Sequence, residues 1–240
     1  MDGARLTWLG HSTVVVELDG TRLVTDPVLR RRVAHLRRDV PAVTPDRPDA
    51  VLLSHLHYDH LDKPSLARVG RHVPIVAPPG TRYLLRGFSD VREVEPGASI
   101  ELGSVDVDVV AAHHDGRRRP IGPPIPALGF VVRGSRSVYF AGDTELFDGM
   151  SSFGPVDVAL VPVAGWGAKV GPGHLDPPAA ARVLSLLQPS VAVPIHWGTY
   201  GVIGRPRGDR APAEKFAEEA AVVAPEVEVR ILSVGETLEF

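Results

Sequence analysis

The segment at residues 54–62, SHLHYDHLD, constrains this chain more than any other feature of its sequence. It holds three histidines and one aspartate within six residues, and it follows an apolar run at 50–53 that is typical of a buried strand. Residues two apart in an extended backbone project to the same side, so His55, His57 and Asp59 can converge. Imidazole and carboxylate at the mouth of a strand are ligands that a borderline divalent ion such as zinc accepts. The segment therefore predicts a metal site.

Length and composition exclude several classes of protein. The chain has 240 residues, which suits one domain with a full core, so we expect a single domain over residues 1–240. The lack of cysteine excludes disulfide scaffolds, Cys-ligated zinc fingers, iron–sulfur clusters and thiol catalysis. A formal charge of −3 does not favour a nucleic-acid partner, and no apolar run is long enough for a membrane span. We expect a cytoplasmic protein with a small-molecule substrate; the sequence leaves its oligomeric state open.

The remaining sequence alternates short strands with helices. Short β-branched runs dominate the first half, with an Asp-Gly hairpin signal at residues 19–20. The second half is expected to contain buried strands at 157–167 and 189–198, helices at 176–189 and 211–225, and a closing strand pair at 226–240. Strands and helices in this order favour an α/β fold in which two sheets pack together with helices outside.

Three later segments supply further candidate ligands at the ends of predicted strands. They are AAHHDG with His113 and His114, AGDT with Asp143, and PIHW with His196. Together with the HLHYDH segment, which fits the pattern HxHxDH, they resemble the metallo-β-lactamase superfamily. The motifs WLGHST, TDP, GDT and GHLDP are similar to the branch that contains ascorbate-6-phosphate lactonase and N-acyl-phosphatidylethanolamine phospholipase D. The resemblance implies an αββα sandwich of two mixed β-sheets flanked by helices.

The resemblance also implies two divalent metal ions, of which zinc is the first expectation, although the ligands also accept manganese or iron. It assigns the first ion to His55, His57 and one histidine of the 113–114 doublet. It assigns the second ion to Asp59, His60 and His196, with Asp143 bridging both. Within the doublet, the spacing in the family favours His114. Strand alternation from Val105, Val107 and Val109 favours His113 unless a bulge intervenes at the strand end.

Two bound metals define the expected chemistry. A water held between two divalent ions loses its proton near neutral pH, which yields a metal-bridged hydroxide nucleophile. We therefore expect a dinuclear hydrolase of a small ester, lactone or phosphodiester, with Asp59 orienting the water and accepting its proton. The alternative on the same fold is an iron-dependent oxidoreductase of the dioxygenase type. A binding module with a relic site is disfavoured because all seven presumptive ligands are present.

Other residues have weaker signals. His174, on the loop GPGHLD, is a candidate for substrate contact or leaving-group protonation, or else caps a turn. Candidate substrate contacts are His11, Trp166 and Trp197, with support of the metal ligands or a purely structural role as the alternatives for His11. Asp26 is expected to support the metal ligands through hydrogen bonds. Arginine runs at 30–38 and 117–119 either receive a phosphate or carboxylate of an anionic substrate, or form solvated loop surface.

Overall fold

The structure is a computed structural model that describes residues 3–118, 124–165, 170–204 and 209–240. Its framework consists of two seven-stranded mixed sheets and one small three-stranded sheet. None of the described helices is long and apolar enough to cross a membrane.

The first large sheet is built from the N-terminal part of the chain and its last strand. Its strands are β1 (Arg5–Gly10), β2 (Thr13–Leu18), β3 (Thr21–Thr25), β6 (Ala50–Leu52), β7 (Ile75–Ala77), β8 (Val91–Glu93) and β17 (Thr237–Glu239). Their spatial order is β17-β1-β2-β3-β6-β7-β8. Strands β3, β6, β7 and β8 run parallel to one another, so their carboxyl ends meet at one edge.

The second large sheet is built from the C-terminal half. Its strands are β9 (Ser99–Leu102), β10 (Val105–Asp115), β11 (Pro126–Arg133), β12 (Ser137–Phe140), β13 (Val158–Pro162), β14 (Val191–Ile195) and β16 (Glu228–Val229). Their order is β16-β14-β13-β12-β11-β10-β9, and β12, β13, β14 and β16 are parallel. The predicted closing strand pair is wrong: β16 pairs with β14 and β17 with β1, so the two strands lie in different sheets.

The small sheet joins the loop after β3 to the loop after β14. It contains β4 (Arg32–Val33), β5 (Leu36–Arg38) and β15 (Tyr200–Val202). The α-helices are α1 (Lys63–Val69), α2 (Thr81–Leu84), α3 (Pro177–Leu187) and α4 (Ala211–Val223), and a 3₁₀ helix spans Asp148–Ser152. Both α1 and α3 begin after an aspartate that accepts a backbone hydrogen bond, with proline in the first turn, which fixes their starting points.

The apolar core forms layers in the order helix, sheet, sheet, helix. Phe130 of the second sheet packs in one cluster with Leu6 of the first sheet. Phe216 of α4 packs with Val161 of β13 on the outer face of the second sheet. Leu66 of α1 lies in a third cluster on the outer face of the first sheet. The predicted αββα sandwich is confirmed.

The layer between the sheets generates a stability prediction. Phe130 is fully buried there, so Phe130→Ala removes a ring from close-packed surroundings and should lower the free energy of unfolding by about 3–5 kcal/mol. The control Val222→Ala changes a side chain that is 77% exposed and should stay within about 0.5 kcal/mol of the parent. Urea denaturation followed by circular dichroism measures both; equal effects would contradict this packing.

Candidate metal centre

The candidate ligands lie where strands of both large sheets end at a common edge. His55, His57, Asp59 and His60 follow β6, whereas the second sheet supplies His114 near the end of β10, Asp143 after β12 and His196 after β14. Strands β10, β12 and β14 point the same way, because β10 and β12 are each antiparallel to β11 and β14 is parallel to β13 and thus to β12. The sandwich therefore brings ligands that are distant in sequence to one place.

Three histidines form the first group of donors. His55 Nε2 lies 3.0 Å from His57 Nδ1, which lies 3.1 Å from His114 Nε2. Nitrogens around a tetrahedral zinc, with bonds of 2.0–2.1 Å, are separated by about 3.4 Å. The three ring nitrogens thus lie close to the spacing of ligands that share one ion.

Within the doublet, the structure places His114 and not His113 in this group. The pairing of β10 with β11 shifts register between Ala112 and Asp115, and this bulge interrupts the strand alternation. The exposed His113 stacks on Phe147, with ring centroids 3.8 Å apart. His114 Nδ1 lies 2.9 Å from the carbonyl oxygen of Gly173, which leaves Nε2 toward the other histidines.

The second group contains Asp59, His60, His196 and also His11. The donor atoms of these four residues lie within 4.8 Å of one another. Asp59 Oδ2 is 3.7 Å from His60 Nε2 and 3.8 Å from His196 Nε2. Asp143 lies between the two groups. Its Oδ2 is 3.2 Å from His60 Nε2, 3.4 Å from His196 Nε2 and 3.9 Å from His55 Nε2.

The electrostatics of the centre fit a divalent cation. Asp143 is 2% exposed, and its Oδ1 has no hydrogen-bond partner among the described residues. Neither Asp143 nor the buried Asp26 pairs with a lysine or arginine in the described part of the chain, although a buried carboxylate needs a compensating charge. Burial opposes protonation of His60, yet the carboxylates of Asp143, Asp59 and Asp26 outweigh it and raise its pKa well above the ordinary value.

The histidines of the first group are held in the neutral form that binds metals. Burial, reinforced by neighbouring histidines, lowers the pKa of His55 well below its ordinary value and also lowers the pKa of His57. Burial likewise lowers the pKa of His114 to about 4. Because a metal ion competes with protons for these nitrogens, neutral rings at physiological pH favour metal binding.

Asp26 orients His55 and His60 through hydrogen bonds on the side of their rings that faces away from the centre. Its Oδ2 lies 2.7 Å from His60 Nδ1, and its Oδ1 accepts the backbone N–H of Ser54 at 2.8 Å. The Ser54 hydroxyl contacts Asp26 Oδ2 at 2.5 Å and His55 Nδ1 at 2.9 Å. Both His55 and His60 therefore use Nδ1 away from the centre and keep Nε2 toward it, which is how partners beyond the ligands orient metal-binding imidazoles.

His11 lies against the second group and not on the open surface. It is 1% exposed, and its Nε2 is 3.5 Å from Asp59 Oδ2. Burial lowers its pKa to about 3, so the ring is neutral. Its backbone N–H donates to Thr199 Oγ1 at 2.7 Å, and its carbonyl accepts the N–H of His196 at 3.1 Å.

The two tryptophans with predicted substrate contacts differ in what the structure describes. Trp197 is half-buried, stacks on Trp8 with ring centroids 4.8 Å apart, and donates from Nε1 to the carbonyl of Pro194. These two contacts fix the position of the Trp197 ring just after the end of β14. Trp166 lies outside the described residues.

A cavity of about 340 Å³ opens onto the first group of donors, and its wall carries His174. His174 Nε2 is 3.4 Å from Asp143 Oδ2. Partial burial opposes protonation of His174, but its contact with Asp143 outweighs burial and raises the pKa. A protonated imidazole at the cavity wall is able to donate a hydrogen bond to a bound molecule.

The cavity wall also contains residues that the sequence indicated only as a basic run. They are Arg117 and Arg118, and beside them Asp115 accepts a hydrogen bond from Arg117 Nε at 2.8 Å. Arg118 Nη1 donates to the carbonyls of Leu56 and Leu61, and its guanidinium lies 3.9 Å from the centre of the Tyr58 ring. Arg118 thereby ties the ligand-bearing loop after β6 to the loop after β10.

The sequence is similar to that of known metal-dependent hydrolases. The sequence model of the beta-lactamase superfamily domain matches residues 21–197. The chain is 36% identical to a metal-dependent hydrolase of Opitutus terrae over 248 residues, covering 98% of this chain and 99% of that relative.

Solved structures that share the fold include a metallo hydrolase and a diiron hydroxylase. Igni18, a metallo hydrolase of Ignicoccus hospitalis, has a TM-score of 0.74 and 24% identity, covering 99% of this chain and 98% of that one. CmlA, a diiron beta-hydroxylase of Streptomyces venezuelae, has a TM-score of 0.76 and 21% identity, covering 100% of this chain and 55% of that one. At these identities the likenesses show the fold alone.

The histidine doublet provides a matched test of the centre. His114→Ala should reduce the metal content of the purified protein by about one ion per chain, because a three-histidine group would keep only two ligands. His113→Ala removes only the ring on Phe147 and should leave the metal content unchanged. Elemental analysis of both variants beside the parent measures this; a loss in His113→Ala alone would reverse the assignment.

Proposed function

Because the chain belongs to the beta-lactamase superfamily, we propose that it is a dinuclear hydrolase of small ester, lactone or phosphodiester substrates. The coarser class, metal-dependent hydrolase, is that of its relatives in Opitutus terrae and Methanopyrus kandleri. One observation carries the dinuclear proposal. Two groups of donors flank one buried carboxylate, Asp143, whose Oδ2 faces histidines of both groups. His55, His57 and His114 would hold one ion, Asp59, His60 and His196 the other, and Asp143 would contact both.

When bound, two divalent ions lower the pKa of a water molecule between them and polarise an oxygen of the substrate. Asp59 is suited to orient that water and to accept its proton at a carboxylate oxygen. His11 supports this role, because its neutral ring faces Asp59 Oδ2 at 3.5 Å and restricts the carboxylate. We therefore assign His11 a positioning role through Asp59, in preference to direct substrate contact.

His174 is suited to act as the proton donor to the leaving group. It lies on the cavity wall, and its contact with Asp143 raises the pKa of the imidazole, which favours the protonated form that can donate from Nε2. A donor in this position neutralises the charge that develops on a departing oxygen, which contributes about 10²–10⁴-fold to a rate.

The cavity supports a small substrate with an anionic group. Its volume of about 340 Å³ is at the lower end of ligand sites. Arg117 pairs with Asp115 in the wall, and together with Arg118 this leaves one excess positive charge, which favours phosphate or carboxylate groups over neutral ones. This preference agrees with a substrate of the phosphorylated-lactone or phosphodiester kind, the two chemistries of the family branch that the sequence motifs resemble.

The proposed function is tested with a panel of lactones, esters and phosphodiesters on the metal-loaded protein. The parent should hydrolyse at least one class, and Asp59→Asn should abolish that activity. His174→Gln should keep the metal content but lower the rate by about 10²-fold or more, because it removes only the proton donor. The control His72→Gln changes an exposed histidine outside the site and should leave the rate unchanged.

Two results would contradict the proposal. Full activity in Asp59→Asn would contradict the role assigned to Asp59. A metal-loaded protein that hydrolyses nothing in the panel would contradict its assignment as a hydrolase of these substrates. Iron as the bound metal, together with oxidation and no hydrolysis, would favour the oxidoreductase alternative.

A further inference from the structure

A second cavity, of about 570 Å³, lies beside the small sheet and shares no lining residue with the cavity at the metal centre. Four arginines line it: Arg31, Arg37, Arg38 and Arg68. They come from the β4–β5 hairpin region and from the end of α1. Four cations in one wall repel one another and concentrate a positive potential in the space that they enclose.

The negative charge in the lining does not balance these cations. Asp39 is the one acidic residue in the wall, and its Oδ1 lies 3.1 Å from the Arg37 guanidinium. Arg31 and Arg68 are exposed and make no ion pair with the described residues. With one carboxylate against four guanidinium groups, the lining keeps an excess of three positive charges.

Arg38 adds an observation that an exposed arginine patch would lack. It is 5% exposed, and it forms no ion pair within the described residues. Its Nη1 donates to the carbonyl of Val28 at 3.0 Å and its Nη2 to the carbonyl of Leu9, whereas Nε has no hydrogen-bond partner. A guanidinium buried against neutral groups alone is costly, and an anion bound in the adjoining cavity would compensate its charge.

The cavity is separate from the metal centre, although the two are neighbours. Tyr200 lies between a residue of each: its ring centre is 5.5 Å from the Arg38 guanidinium and 5.6 Å from the His11 ring. The Tyr200 hydroxyl donates to the carbonyl of Arg30 at 2.7 Å, which fixes the ring in this position. A ligand in the arginine cavity therefore has Tyr200 and Arg38 between itself and His11.

We propose that this cavity binds a small organic oxyanion, of the phosphate monoester class, at a site distinct from the metal centre. The planar guanidinium groups of Arg31, Arg38 and Arg68 match the oxygens of a phosphate, and three excess charges favour a dianion over a monocarboxylate. Leu29 and Val40 in the same wall provide apolar surface for the carbon part of the ligand. The volume is ample for such a molecule.

Calorimetric titration of the metal-loaded protein with hexyl phosphate tests the site. The double variant Arg31→Gln/Arg68→Gln changes two exposed side chains, so it should fold as the parent does, and it should bind at least about tenfold more weakly through the loss of charge-assisted hydrogen bonds. The control Arg92→Gln/Arg230→Gln removes the same charge outside the cavity and should bind as the parent does. Hydrolysis of the preferred panel substrate should be unchanged in both double variants.

The result has clear alternatives. Binding that persists in Arg31→Gln/Arg68→Gln but disappears in His114→Ala would place the phosphate at the metal centre and overturn the proposal. Equal binding of hexanol would reduce the cavity to an apolar pocket and overturn it as well. Inorganic phosphate that competes with hexyl phosphate in the parent, but not in the cavity variant, would support recognition of the oxyanion itself.

Discussion

The burial of Asp143 among histidines, with no lysine or arginine among the described residues to pair with it, is the interaction on which the rest of the site depends. A carboxylate in this position is unfavourable unless a cation neutralises it. The second sheet fixes the position, because Asp143 lies only three residues after the end of β12. The strand ends therefore form a buried site with negative charge. The histidines around it are side chains that suit a divalent metal ion as the compensating cation.

The same strand ends hold three non-glycine residues in the left-handed region of backbone space. His11, Asp26 and His196 have φ values of +54°, +32° and +64°. Each such residue costs on the order of 1–3 kcal/mol, so the surrounding contacts must hold it in place. His11 and His196 are joined by a backbone hydrogen bond, and Asp26 is held by Ser54 and His60. Sharp turns of this kind let several strands deliver side chains to one point.

Much of this arrangement was predictable from the sequence because its signals are local. The HxHxDH spacing after an apolar strand, and the later segments with His or Asp, carry a family resemblance that implied the αββα fold, which the structure shows. The choice between His113 and His114 was not predictable from alternation, since it depends on a bulge in β10. The placement of β16 and β17 in different sheets depends on pairing with strands that are distant in sequence, so no local pattern predicts it.

The arginine cavity, in contrast, was not predictable from the sequence. Arg31, Arg37 and Arg38 appear in the sequence as part of a basic run that equally suits a solvated loop. Only the fold adds Arg68 from α1, buries Arg38 and places Tyr200 between this wall and the metal centre. The basic run therefore indicates where charge lies along the chain, but not which of its arginines share a cavity or that Arg68 joins them.

The central claim is that the two groups of donors hold one ion each around Asp143. Anomalous diffraction from crystals of the protein grown with zinc tests it most directly. Two peaks are expected, one bonded to His55, His57 and His114 and the other to Asp59, His60 and His196, with Asp143 in contact with both. A single peak, or peaks away from these side chains, would contradict it.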